Sequence, residues 1–245
     1  MIKVHNVCKK IGETEILRNI DFQIKKGEFV AIMGQSGCGK STLLYSISGM
    51  DRPTGGEVVF EGQNLVEFSE KEMETLRLER MGFIFQKANF LKNLSIEDNI
   101  VFPVFQAGKR SRSEIVREAE ALMERMGILQ IAKKDIRKVS GGQLQRAAIC
   151  RAMINHPAIL FGDEPTGALN SSATREVMDI INGINREGTT VLLVTHDAKV
   201  AARADRVIYF EDGSIKEMFE LGKYVETTVT QREEKLKVWL ENMGF

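Results

Sequence analysis

The stretch Gly34-Gln-Ser-Gly-Cys-Gly-Lys40-Ser41 constrains this chain more than any other. It fits the pattern G-x-x-x-x-G-K-[ST], a loop that wraps a polyphosphate. Glycines keep side chains out of the way, backbone N–H groups point inward, and a following helix adds its positive end. The flanks have the required form. Phe29 to Met33 is a compact apolar run that stops at a glycine, as a buried strand would. From Ser41 onward, Leu43, Leu44 and Ile47 fall on one side of a helix. In this context Lys40 reaches the terminal phosphates and the Ser41 hydroxyl holds a Mg²⁺ ion. The competing reading is a plain glycine-rich turn, which the pattern itself, the strand before it and the helix after it all disfavour.

Composition then limits the setting. The chain has 245 residues, of which 43% are hydrophobic and 28% charged, which suits one ordinary globular domain with subdomains. Lys+Arg and Asp+Glu both number 34, so no net positive field argues for a nucleic-acid partner, and none is expected. Cys8, Cys38 and Cys150 have no metal-ligand spacing and are odd in number, the pattern of free thiols in a reducing compartment. The opening MIKVHNVCKK has no apolar core of a signal peptide. The apolar runs, such as Val191 to Val194, are too short to span a bilayer, so any action at a membrane is expected to go through a partner.

The apolar pattern divides the chain. Ile2, Val4 and Val7, then Ile16, Leu17, Ile20, Phe22 and Ile24, read as strands of an antiparallel sheet. Residues 69–80 read as a charged helix, and GFIFQ as a short strand stopping at Gln86. From about 87 to 153 helical periods dominate, which predicts an inserted helical subdomain. Strands return with AILFGD and VLLVTH, and RVIYFEDGSI reads as a hairpin. The domain is expected to cover residues 1–225, followed by a helical tail over 226–245. In that tail Leu236, Trp239, Leu240 and Met243 recur at helical spacing among Arg232, Glu233, Glu234, Lys235 and Lys237. Such a helix either packs on its own domain or meets a partner chain.

Two further motifs carry chemistry. Ala158 to Asp163 is an apolar strand that ends in the carboxylates of Asp163 and Glu164. Alone that ending is common. Beside a phosphate loop, Asp163 becomes a Mg²⁺ ligand and Glu164 the group that polarises an attacking water. Val139-Ser140-Gly141-Gly142-Gln143 opens a second helix and is again an anion site.

The set GQSGCGKS, Gln86, VSGGQ, GDEPTGALN and VTHD, in this order, resembles the nucleotide-binding domain of ABC transporters over about residues 1–224. The resemblance implies an α/β fold: a P-loop NTPase (RecA-like) core with an antiparallel β subdomain and an inserted α-helical subdomain. It implies ATP and Mg²⁺ as cofactors, with nucleotide contacts from Gly34, Ser36, Gly37, Cys38, Gly39, Lys40, Ser41 and Thr42. A second copy of the chain would complete each site with Ser140, Gly141, Gly142 and Gln143. Mg²⁺ would be held by Ser41, Gln86 and Asp163, with Glu164, His196 and Gln86 as catalytic residues. The partners implied are a homodimer mate and a transmembrane permease on another chain, at the cytoplasmic face of a membrane. Phe90 and Leu91 would meet that permease. GFIFQ, EDNIVFP and DEPTGALN look like the branch of macrolide exporters, lipoprotein-release ATPases and peptide-resistance transporters, and GALN-Ser-Ser looks most like the last. The same residues would also serve a signalling or cell-division complex that moves no cargo. A soluble ATPase acting on DNA or ribosomes would carry a coiled-coil insertion or a second such domain.

The chain departs from the family pattern in several places. Ile11 stands where an aromatic ring usually stacks on adenine, which points to loose base discrimination. Asn170 replaces the usual Asp of the loop after Glu164. Val139 replaces the usual Leu that opens the signature, a mild apolar swap. Cys38 lies in the phosphate loop near a helix start and Lys40, where a lowered thiol pKa is expected.

Overall fold

The computed structural model describes residues 1–108 and 110–244; Phe245, the end of the expected tail, lies outside the described residues. The chain begins with β1 (Ile2–Ile11), β2 (Thr14–Ile24), β3 (Phe29–Met33), α1 (Lys40–Ile47), β4 (Gly55–Phe60) and β5 (Gln63–Asn64). It continues with α2 (Glu70–Arg80), β6 (Met81–Phe85), α3 (Ile96–Ala107), α4 (Arg112–Arg125), α5 (Gly141–Met153) and β7 (Ile159–Asp163). Last come α6 (Ser171–Arg186), β8 (Thr190–Val194), α7 (Ala198–Ala201), β9 (Arg206–Glu211), β10 (Ser214–Glu220) and α8 (Val229–Asn242). These form two compact units: Met1–Met73 with Ile184–Phe245, and Glu74–Gly183.

In the first unit, β1 pairs antiparallel with β2 and β4, giving the order β2-β1-β4-β5. Ile2 and Val4 are buried while Lys3 and His5 face out, and then the alternation slips, so that Val7 is the next buried residue. Asn6 takes φ 51° there, and the pairing with β2 shifts between Val4 and Val7. An irregularity of this kind inserts an odd residue and restores the apolar face after it. The other sheet of this unit runs β10-β9-β3-β8. β3 lies between two parallel neighbours, β8 and β9, and all five of its residues are buried. Burial on both faces is why this strand reads as an unbroken apolar run.

The tail helix α8 belongs to this first unit. Leu236, Trp239 and Leu240 are buried; Trp239 stacks on Phe219 at 5.1 Å and meets Tyr209 edge-on at 6.2 Å. Arg232, read from the sequence as part of the charged surround, is 5% exposed. Its guanidinium donates to the carbonyls of Ala202 (2.8 Å), Ala204 (2.6 Å), Leu221 (3.0 Å), Gly222 (3.1 Å) and Lys223 (3.3 Å). Of the two roles open to this helix, packing on its own domain is what the structure contains.

The second unit holds the parallel pair β6–β7 with α3, α4 and α5. Each helix starts at a serine cap: Ser95 for α3, Ser111 for α4 and Ser140 for α5. Serine at this position satisfies an orphan amide of the first turn. The helices α3 to α5 fall within the stretch where the sequence predicts an inserted helical subdomain.

Arg232→Met keeps the apolar stem of this side chain and removes its donors. Buried carbonyls are then left unsatisfied, at about 1–3 kcal/mol for each group that finds no other partner. We expect urea unfolding to show a loss of about 3 kcal/mol; a change within about 0.5 kcal/mol would mean that the clamp contributes little.

Candidate nucleotide site

The phosphate loop leaves β3 and enters α1 at Lys40. A Cβ on Gly34 would overlap the Phe210 carbonyl oxygen, so only glycine lets the loop cross β9 this closely. Lys40 is buried, and its ammonium donates to the carbonyls of Gly34 (2.9 Å) and Gln35 (2.6 Å). The lysine therefore lies folded over its own loop. Gly39, with φ 106°, precedes α1 where a side-chain cap would stand. The first amides of α1 receive no side-chain cap from it, which leaves them for an anion.

Register places the next group. β3 and β8 run parallel, with Ile32 opposite Val194, and the Thr195 amide donates to the Ile32 carbonyl at 3.1 Å. Gly34 and His196 thus leave neighbouring strands at the same, carboxyl-terminal edge, where ligands bind in parallel sheets. His196 is exposed, and Asp197 after it caps α7. Ile11 is 58% exposed at the end of β1. Ser36, Gly37, Ser41 and Thr42 lie in the loop and the first turn of α1.

Cys38 corrects one expectation. Its thiol donates to the Phe210 carbonyl at 3.3 Å, and burial pushes its pKa up despite the opposing pull of Lys40. Desolvation disfavours the thiolate more than one nearby cation favours it. Cys38 should therefore be alkylated slowly by iodoacetamide at neutral pH, with a rate that rises as pH climbs past the range of an ordinary thiol. Fast modification near pH 7 would contradict this.

The second unit brings together other members of the predicted set. Phe85 pairs with Asp163 at the ends of β6 and β7, so Gln86 and Glu164 follow side by side. Glu164 has φ 46°, an uncommon region for a residue with a side chain. Backbone strain of this kind collects at functional sites. Gly167 closes the turn: its amide donates to the Glu164 carbonyl at 3.0 Å. A Cβ on Gly167 would lie 2.8 Å from Gln86 Nε2 and 3.2 Å from Glu164 Oε2. Both side chains thus converge on the bare face of this glycine. The sequence reading assigns Gly167 no role; the available signal was a glycine three residues past Glu164.

The signature residues form a separate cleft of about 370 Å³ in the same unit, lined by Ser140, Gly141, Gly142, Gln143 and Asn170 among others. Ser140 Oγ accepts from the Gln143 amide at 3.2 Å, and Gln143 Oε1 accepts from the Ser140 amide at 3.0 Å. The Ser140 hydroxyl proton is not used in that box, so it can turn to an anion. A Cβ on Gly142 would meet the Ala173 Cβ at 3.1 Å, which shows how closely α5 approaches the start of α6. Asn170 caps α6, accepting from the Ala173 amide at 2.9 Å. Asn and Asp cap equally well, so the unusual amide costs the helix nothing.

Hydroxyl and carboxylate oxygens are the hard donors that suit Mg²⁺. Among the described residues no cluster of three or more His, Cys, Asp or Glu could hold a metal ion unaided. An ion bound mainly through substrate phosphates needs no such cluster. Also among the described residues, no helix is long and apolar enough to cross a membrane.

Substituting Gly167 by alanine should leave the fold intact, because both obstructing groups are ends of flexible side chains. It should displace Gln86 and Glu164, and a shift of about 1 Å at such groups can cost on the order of a hundredfold in rate. ATP hydrolysis at wild-type speed by a folded G167A would refute this geometry.

Comparison with known proteins agrees with this architecture. The family model described as ABC transporter matches residues 17–167. The macrolide export ATP-binding/permease protein MacB of Campylobacter jejuni (serotype O:2) is 40% identical over 248 residues, covering 100% of this chain and 38% of its own length. The chain therefore spans little more than a third of that relative. The lipoprotein-releasing system ATP-binding protein LolD of Aquifex aeolicus is 40% identical over 215 residues, 88% of this chain and 96% of LolD. The dimeric, post-hydrolysis structure of the ATP-binding cassette MJ0796 bound to ADP and Pi superposes with a TM-score of 0.84 at 36% identity, covering 91% of this chain and 100% of that one. On the family match and this full-length likeness, the chain belongs to the ABC transporter family.

Proposed function

We propose that this chain, an ABC-family ATP hydrolase, binds Mg-ATP between two copies of itself and drives a membrane-spanning permease. The observation that carries the reading is the β6–β7 register, which sets Gln86 beside Glu164 at the strand ends. Lys40 would grip the β- and γ-phosphates, and Ser41 and Asp163, with Gln86, would hold the Mg²⁺. When bound, Mg²⁺ neutralises charge on the phosphates. Glu164 polarises the water that attacks the γ-phosphate, and His196 donates to that phosphate. Gln86 senses its presence. Ser140 and the amides after it, from the opposing copy, supply the donors that close the site. The dimeric MJ0796 cassette with ADP and Pi supports this arrangement.

Leu91, Phe102 and Phe105 are 46%, 43% and 41% exposed, and we propose that these apolar side chains meet the permease. Phe90, expected with Leu91 to meet the permease, is buried instead. The near-complete match to LolD, named as the ATP-binding protein of a lipoprotein-releasing system, supports a permease on a separate chain; we place the pair at the cytoplasmic face of a membrane. Relatives named for macrolide and pyoverdine export support outward movement of an amphiphile, with antimicrobial peptides as one such cargo.

Glu164→Gln tests the core of this reading by light scattering. The variant should bind ATP, hydrolyse it at least a hundredfold more slowly, on the order of other lost catalytic groups, and persist as a dimer. Hydrolysis at the wild-type rate would remove Glu164 from the role of base. A variant that stays monomeric with ATP bound would argue against the self-paired site.

A further inference from the structure

Helix α5 begins at the signature, but its later turns reach a different place. Arg151, in its last turn, donates from Nη2 to the Ala88 carbonyl at 2.6 Å and from Nη1 to the Asn89 carbonyl at 3.3 Å. The guanidinium carbon lies 4.6 Å above the centre of the Phe90 ring. Gln145, two turns earlier on the same helix, donates to the Phe85 carbonyl at 3.0 Å and is itself buried. One helix thus holds the main chain on both sides of Gln86. Beyond it, Asn99 of α3 accepts from the Leu91 amide at 2.7 Å and donates to the Leu91 carbonyl at 3.1 Å.

Arg151 is an expensive way to pack this corner. Burial pushes its pKa down to about 10, so it stays charged at neutral pH, and among the described residues no carboxylate pairs with it. A methionine would fill the space without that desolvation cost. The planar fork does what an apolar side chain cannot: it takes two successive carbonyls while its face covers an aromatic ring. Between those carbonyls Asn89 adopts φ 47°, a conformation that needs outside support.

We infer that Arg151 is a positioning residue for ATP hydrolysis, fixing the loop that carries Gln86 to the helix that begins at Ser140. The inference rests on the ATPase reading above. It makes the loop and the signature helix one mechanical piece, so that a push on Leu91 is felt at Ser140.

The test uses the full chain with Arg151→Met, Arg151→Lys and Gln86→Ala, singly and with R151M and Q86A combined. R151M should keep its affinity for a fluorescent ATP analogue within about twofold, because the phosphate loop is untouched, while kcat falls about tenfold. The double variant should be no slower than Q86A, since Arg151 acts through Gln86. R151K keeps the charge but lacks the fork, and should fall between wild type and R151M. Multiplied losses in the double variant, or wild-type kcat in R151M, would overturn the assignment. If R151M does not fold, Phe90→Leu removes only the ring under the guanidinium and should show a smaller kcat loss with the same non-additivity. If the wild-type chain hydrolyses no ATP, the ATPase reading fails by itself. Hydrogen exchange then decides on Arg151: faster exchange of the amides of residues 88–91 in R151M supports the positioning role, and unchanged exchange sinks it.

Discussion

Parallel strands in register end abreast, and their next residues leave the sheet on one edge. Two such pairings govern this molecule. Ile32 lies opposite Val194, and Phe85 lies opposite Asp163. The bonds that fix these pairs are between backbone groups, so they are insensitive to side-chain identity. What holds the register is burial, because every residue of β3 and β8 is buried. A slip of one residue along β6 would move Gln86 away from Glu164 by about 3.3 Å, more than a hydrogen bond can absorb.

In each unit the strand ends are then armed by glycines and helix starts. Gly34 and Gly167 let groups approach that any side chain would hold apart. α1 offers uncapped amides, whereas α5 and α6 are capped by Ser140 and Asn170. The caps keep the first turns of those two helices ordered while leaving the Ser140 proton free for a ligand. Glu164 holds an uncommon backbone conformation, worth about 1–3 kcal/mol of strain. Its neighbour Asp163 is tied into β7 and the Gly167 amide holds the Glu164 carbonyl, so the strain cannot relax without unpairing the strand.

Much of this was legible because it is local. A buried strand, a glycine-rich loop and an amphipathic helix each leave a periodic mark within about ten residues, and Phe29–Ile47 carries all three in succession. The strand ending at Asp163 and the serine before α5 are equally local. Other features depend on residues far apart in the sequence. The burial of Arg232 follows from carbonyls 9 to 30 residues away. The raised pKa of Cys38 depends on how closely β9 covers it, and proximity to Lys40 alone gave the wrong sign. Phe90 read as a surface aromatic because nothing near it in sequence shows the guanidinium that covers it. The slipped alternation after Val4 has no signal beyond an asparagine that tolerates a positive φ.

Arg232 and Arg151 share a logic. Arg232 is buried and Arg151 half-buried; the partners of each guanidinium are main-chain carbonyls beyond its own helix, and among the described residues neither pairs with a carboxylate. Segment ends leave carbonyls with no partner in their own helix or strand, and burying them unsatisfied is costly. A guanidinium with five donors satisfies several at once, and these bonds offset its own desolvation. Lysine has three donors on one atom and cannot span carbonyls from residues 202, 204 and 221. The two arginines therefore stiffen the parts of the chain that the sheets do not reach: the approach to the C-terminal helix, and the loop that carries Gln86.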